Sequence, residues 1–122
     1  MVVTRQTKGR EGESLAAKFL EERGVVVVDR NIRCPLGEID LVGRDGRVIV
    51  FVEVRSRFSG RYGSPQESVS RSKQKRLTRL AQWYLKKHRL EGRSARFDVV
   101  AITWKAGESD IAWIVNAFEA RE

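Results

Sequence analysis

Val48-Ile49-Val50-Phe51-Val52-Glu53-Val54-Arg55 decides the fold. Its first five residues are apolar and mostly β-branched, with nothing polar on either side, the pattern of a strand buried on both faces of a sheet. Glu53 ends that run. An ionised carboxylate there costs several kcal/mol unless it is paired or bound to a metal. Upstream, Gly37 to Val42 alternates, with Glu38, Asp40 and Val42 on one side and Ile39 and Leu41 on the other. Asp45-Gly46 is a hairpin turn, so this strand folds against the Glu53 strand and can bring both carboxylates to one side of the sheet. Asp40 has the wrong sign to neutralise Glu53. A divalent cation between the two would satisfy both. Arg55, two residues on, shares a face with Glu53, and a plain Glu53–Arg55 ion pair would relieve much of the same burial without an ion.

Outward from the hairpin, Leu15, Ala16, Phe19 and Leu20 recur on one face between Glu11 and Arg23 and predict an amphipathic helix ended by Gly24. Val25 to Val28 reads as a short strand, and Asp29 to Pro35, dense in Arg and Asn, as a connection. Ser56 to Gln66 reads as a long loop, a kind of segment that often carries function. Ser70 or Ser72 caps a second helix running to about Arg89, with Leu77, Leu80, Ala81, Tyr84 and Leu85 as its core stripe. Arg96 to Trp104 and Ile111 to Val115 read as two further strands. The polar first ten or so residues are expected to be flexible. The order helix, three strands, helix, two strands predicts a single α/β domain over residues 1–122, a central mixed β-sheet flanked by helices.

The chain carries a net charge of +8 and a pI near 10.2. Charge of that size on a small domain points to a polyanionic partner, nucleic acid first, with solubility alone as the plainer account. No apolar run approaches the roughly 20 residues needed to span a bilayer. The N-terminus lacks the apolar core of a signal peptide, so the cytoplasmic compartment is expected and no membrane partner. One cysteine, Cys34, excludes an intramolecular disulfide framework and a Cys-cluster zinc site. The single histidine, His88, lies in a run of cations at a helix end. That excludes His-activated nucleases and Ser–His or Cys–His hydrolases.

Six ordered pieces carry a resemblance: Gly12-Glu13 with Ala16, Arg30-Asn31-Ile32-Arg33, Gly37-Glu38-Ile39-Asp40-Leu41, Phe51-Val52-Glu53-Val54-Arg55, Lys73-Gln74 with Arg76-Leu77, and Arg96-Phe97-Asp98-Val99-Val100. Together they resemble the YraN family of small endonuclease-like proteins. That family looks like a branch of the PD-(D/E)xK restriction-endonuclease-like superfamily, related to archaeal Holliday-junction resolvases. The resemblance implies a restriction-endonuclease-like three-layer sandwich and a Mg²⁺- or Mn²⁺-dependent endonuclease acting on DNA, branched DNA included. It implies Asp40 and Glu53 as metal-binding acids and the Val54 backbone carbonyl as a third ligand. Glu13 would be the helix-borne acid that reaches a second ion or a water on the first.

Arg55 stands where the superfamily usually has Lys. A guanidinium stays charged and cannot act as a general base, though it could clamp the scissile phosphate. The alternative is therefore a non-catalytic nucleic-acid-binding module on the same fold. Phosphate contacts are expected from Lys73, Lys75 and Arg76 near the start of the second helix, and from Arg57, Arg61 and Tyr62 in the loop after the Glu53 strand. A solvated helix face is the plain account of the helix cations. Asp98 reads as structural, and Trp83, Trp104 and Trp113 as packing. Cutting a two-fold-symmetric junction would need two sites and hence a homodimer, which no sequence feature specifies.

Overall fold

The computed structural model describes residues 5–58 and 68–121. The elements run α1 (Arg5–Glu22), β1 (Val26–Cys34), β2 (Gly37–Asp45), β3 (Val48–Phe58), α2 (Arg71–Lys87), β4 (Ala95–Lys105) and β5 (Glu108–Phe118). This is the element order read from the sequence. The five strands form one mixed sheet in chain order. Only β3 and β4 are parallel, because the α2 crossover lies between them.

β3 feeds two cores. Val50 and Val52 pack with Leu41, Val100 and Ile102 against Ala16, Ala17 and Leu20 of α1. Ile49 and Phe51 pack with Ile39, Val42, Phe97 and Val99 against Leu77, Leu80, Ala81 and Tyr84 of α2. One helix thus covers each face, which is why β3 reads as continuously apolar. Each fully buried Val, Ile or Phe contributes about 1.5–3 kcal/mol. α2 starts at its expected cap: Ser70 Oγ accepts the Lys73 N–H at 3.1 Å.

Several expected boundaries move, among them those of β5, which extends to Glu108–Phe118. α1 begins at Arg5, so residues 5–10 are helical rather than a flexible lead. β1 continues to Cys34 and absorbs the stretch 29–35 read as a connection, because β2 returns directly through Pro35-Leu36 and pairs with it (Arg30↔Leu41, Ile32↔Ile39, Cys34↔Gly37). The charges that made it look like a loop lie on an edge strand, where they discourage further pairing. Gly37, at φ 139°, closes the turn against α2; a Cβ there would stand 3.5 Å from Arg76 Cδ and 3.6 Å from Leu80 Cδ1. β3 runs on to Phe58, so Ser56 to Phe58 pair with β4 instead of opening a loop. The rest of the expected loop up to Gln66 lies outside the described residues.

The clean alternation expected of β2 fails at one residue. Ile39 packs toward α2 and Leu41 toward α1, although they are two apart. The β2–β3 ladder stops at Leu41↔Val52. In the same register the next pair would have been Asp40 and Glu53. The two strands part where those acids stand.

Candidate metal centre

Asp40 fills the gap left by the ended ladder. Its Oδ2 accepts the Val54 N–H at 2.9 Å, a donor that a continued β2 would have taken. On its other side the Asp40 carboxyl lies within hydrogen-bonding reach of Glu53. Burial, the bond to Glu53 and the Glu53 charge together push the Asp40 carboxyl up to about 9, against a smaller opposing effect of the Val54 N–H. Burial beside the Glu53 charge therefore favours the protonated form of the Asp40 carboxyl.

Glu53 is 6% exposed. Its cation comes from α2 and not from along the strand: Lys73 Nζ stands 2.7 Å from Oε2. The contact is off the hydrogen-bonding angle, so this buried oxygen has a charge partner but no hydrogen bond among the described residues. Arg55 is half-buried. The Glu53–Arg55 ion pair, the alternative that alternation allowed, is absent among the described residues. The Ser70 cap fixes Lys73 in the first turn of α2, directly over the Glu53 end of β3.

α1 supplies the third acid. Glu13, Glu38 and Asp40 each offer a carboxylate oxygen, and these oxygens lie within 4.8 Å of one another. Burial and the neighbouring Glu38 raise the Glu13 carboxyl, while hydrogen bonding to Asn31 and the charge of Arg10 work the other way. The Asn31 amide, at φ 51° in β1, donates to Glu13 Oε2 and, at 3.1 Å, to Glu38 Oε1. α1 reaches this close because residue 12 is glycine. A Cβ there would overlap Ser56 Oγ of β3 and sit 3.3 Å from Ile102 Cδ1.

The four acids thus form a chain, Glu13–Glu38–Asp40–Glu53, with Asp40 as its hinge. It converges from α1, β2 and β3, with Lys73 arriving from α2. The expected acids Asp40, Glu53 and Glu13 come together. Glu38 was read on the Asp40 side of its strand but given no site role, and the Asn31 contacts and the Lys73–Glu53 pair were not anticipated. Glu38 reads in sequence as an ordinary outward acid two residues from Asp40, and Asn31 falls in the stretch misread as a connection. Lys73, expected at a phosphate, is instead held by Glu53 and is 31% exposed. Arg57 donates from Nε to Thr103 Oγ1 at 3.3 Å. Lys75 and Arg76 lie exposed on α2, and Arg61 and Tyr62 fall outside the described residues.

Two other expectations bear on the chemistry. Asp98 is fully buried and saturated: it accepts from Arg96 Nε (3.0 Å) and Nη2 (3.2 Å), Trp113 Nε1 (3.0 Å) and the Asn116 N–H (2.9 Å). It is structural, as read. His88 caps α2 at its C-terminal end with its ring 4.2 Å from that of Tyr84, about 22 Å along the helix axis from Lys73. The donors at the centre are therefore all oxygens, the set preferred by Mg²⁺ and Mn²⁺ rather than by zinc or copper. No helix among the described residues is long and apolar enough to cross a membrane.

Comparison with known proteins gives the family. The family model described as uncharacterised protein family UPF0102 matches residues 12–102, the span that includes Glu13, Asn31, Glu38, Asp40, Glu53 and Lys73. A UPF0102 protein of Moorella thermoacetica is 49% identical over 114 residues, covering 93% of this chain and 94% of that protein. One of Anaeromyxobacter dehalogenans is 51% identical over 116 residues, covering 94% and 86%. One of Syntrophotalea carbinolica is 42% identical over 119 residues, covering 98% and 97%. Matched along nearly its whole length, the chain belongs to the UPF0102 family.

Proposed function

We propose that this protein is a Mg²⁺- or Mn²⁺-dependent endonuclease on a restriction-endonuclease-like sandwich of the PD-(D/E)xK and YraN type, hydrolysing phosphodiesters in DNA. One observation carries the reading: a buried carboxylate oxygen of Glu53 has a lysine 2.7 Å away but no hydrogen bond among the described residues, beside an Asp40 whose carboxyl is driven up to about 9. The fold buries acids without giving them enough donors, which is the signature of a site kept for a cation. Asp40, Glu53 and the Val54 carbonyl would hold the ion, with Glu13 and Glu38 beside it. The carbonyl fits because a strand residue turns its N–H and C=O to the same neighbour, and Val54 has lost β2 as that neighbour. Bound there, the ion supplies Lewis-acid polarisation of the phosphate and a more acidic water.

The chain's own residues supply the rest. Arg55, on the same strand face as Glu53, clamps the phosphate and stabilises charge developing on it. Lys73, 2.7 Å from Glu53, adds a different role: an ammonium can donate a proton to the leaving oxygen as a general acid, which a guanidinium cannot. Asn31 keeps Glu13 and Glu38 turned inward.

A second reading has its own observation. The Lys73–Glu53 ion pair offsets much of the Glu53 charge without any metal, which suits a nucleic-acid-binding module that does no chemistry. Incubating the protein with end-labelled four-way-junction DNA and Mn²⁺, beside Asp40→Asn and Lys73→Met, separates the two. The nuclease reading expects cleavage that Asp40→Asn abolishes, and that Lys73→Met cuts by about 10²-fold or more while saturable Mn²⁺ binding persists. Absence of cleavage together with absence of a saturable Mn²⁺ site would leave the binding module.

A further inference from the structure

Beside the carboxylates, α2 carries a second feature that the metal reading does not use. Ser72, Lys75, Arg76 and Arg79 follow one another at the i, i+3, i+4, i+7 spacing of one helix face. With Pro35 and Leu36 of the β1–β2 turn they line a groove of about 430 Å³. All six residues are exposed. None of the three cations forms an ion pair among the described residues, and no acid lines the groove. Like charges at i and i+4 repel along a helix, and nothing in the groove compensates Lys75 and Arg79. Some basic side chains elsewhere do find acids, as Arg30, Arg33, Lys73, Arg96 and Lys105 do. Leu36, 45% exposed, is an apolar tip on the rim of this otherwise cationic channel.

We infer that this groove holds the backbone of a nucleic-acid strand on its way to the carboxylates, with Leu36 packed against a base that has lost its stacking neighbour. The inference rests on the nucleic-acid reading of the adjoining site. Ser72 to Arg79 spans about 10 Å of helix axis, the axial length of roughly three phosphates at about 3.4 Å each on one strand of a duplex. Phosphates would meet Lys75, Arg76 and Arg79, with the Ser72 hydroxyl as a neutral donor. A leucine among phosphate-binding cations has little to gain from an intact duplex, because entering it requires unstacking; at a gap or branch that work is already done. The partner is therefore DNA with an interrupted stack, and the turn reads the interruption.

Fluorescence anisotropy of the whole protein in EDTA tests this on an intact duplex and on the same duplex with a short single-stranded gap. Lys75→Ala/Arg79→Ala is expected to weaken binding to both by about tenfold or more and to lower the slope of log K against log salt by about two. Lys86→Ala/Lys87→Ala removes the same charge from the far end of α2 and is expected to change affinity by less than about twofold. Leu36→Ser is expected to weaken the gapped DNA by about fivefold and leave the intact duplex nearly unchanged. Equal effects of the two double variants, or equal effects of Leu36→Ser on both DNAs, overturn the inference. Because binding in EDTA needs no ion, the two readings fail separately. Cleavage lost in Asp40→Asn with wild-type binding by the groove variants removes the groove and keeps the nuclease. Groove-dependent binding without cleavage does the reverse.

Discussion

Two neighbouring strands bury an acid at almost the same level of the sheet, and they treat it oppositely. On β4, Asp98 sits opposite Val52 and is fully buried, its two oxygens filled by four donors from Arg96, Trp113 and Asn116. On β3, Glu53 is opposite Val99 and nearly as buried, yet one oxygen has a lysine at a poor angle and no hydrogen bond among the described residues. Burial alone therefore does not mark a functional acid. What marks it is burial with acceptor capacity left over. Arg96 shows the saturated case from the cation's side: burial opposes its charge, but bonds to Asp98 and Asp45 outweigh this and raise it.

The contrast predicts opposite signs for similar substitutions. Asp98→Ala leaves Arg96 without its main buried partner and strips the Trp113 and Asn116 donors. It is expected to destabilise by about 3–5 kcal/mol in urea melts. Asp40→Asn should do the reverse in EDTA. Asn keeps an oxygen for the Val54 N–H and offers Glu53 an N–H donor in place of the O–H of a protonated Asp40, so stability at pH 7 to 8 is expected to hold or rise by about 1–2 kcal/mol. A large loss in Asp40→Asn would put Asp40 in the same class as Asp98 and dissolve the comparison.

The pH dependence sharpens it further. The folded Asp40 carboxyl is raised from 3.8 to about 9, so between those values the native state binds a proton that the unfolded chain does not. Its contribution is complete below the unfolded value and is lost as pH rises through the folded one. Melting temperature of the wild type in EDTA is expected to fall between pH 6 and 9, and that slope to flatten in Asp40→Asn. Mn²⁺ at a concentration of about 100 times its Kd should restore about 2.7 kcal/mol at pH 8 in the wild type only. A wild-type curve as flat as that of Asp40→Asn would remove the raised Asp40 carboxyl from the account.

The smallest expected effect concerns how α1 reaches the acids. Gly12→Ala is expected to cost about 1 kcal/mol through crowding at Ser56 and Ile102, with recovery in Gly12→Ala/Ser56→Ala measured as a thermal double-mutant cycle. Full additivity of the two changes would mean that the helix is not held off by that serine.

Much of this was legible in the sequence because strands declare themselves by period. The β3 run, the Asp45-Gly46 turn and the α2 stripe give the sheet, its handed crossover and the two acids at its centre. What was illegible has two physical causes. β1 hides because an edge strand need not be apolar, so Asp29 to Arg33 resemble a loop. The face change at Asp40 hides because alternation presumes a continuous ladder, and no local pattern says where pairing stops. Lys73 and Asn31 reach the acids across elements, from 20 residues downstream of Glu53 and 7 upstream of Glu38. Spacing rules see along an element, not between layers.

The Val54 amide, bound by a side chain where the ladder would have bound it, is also a built-in reporter. Its proton sees the Asp40 carboxylate directly, so its resonance should move as Asp40 gains or loses charge. In a ¹⁵N-labelled sample that one cross-peak would follow protonation, cation loading and substrate arrival in turn, with no probe attached to the protein.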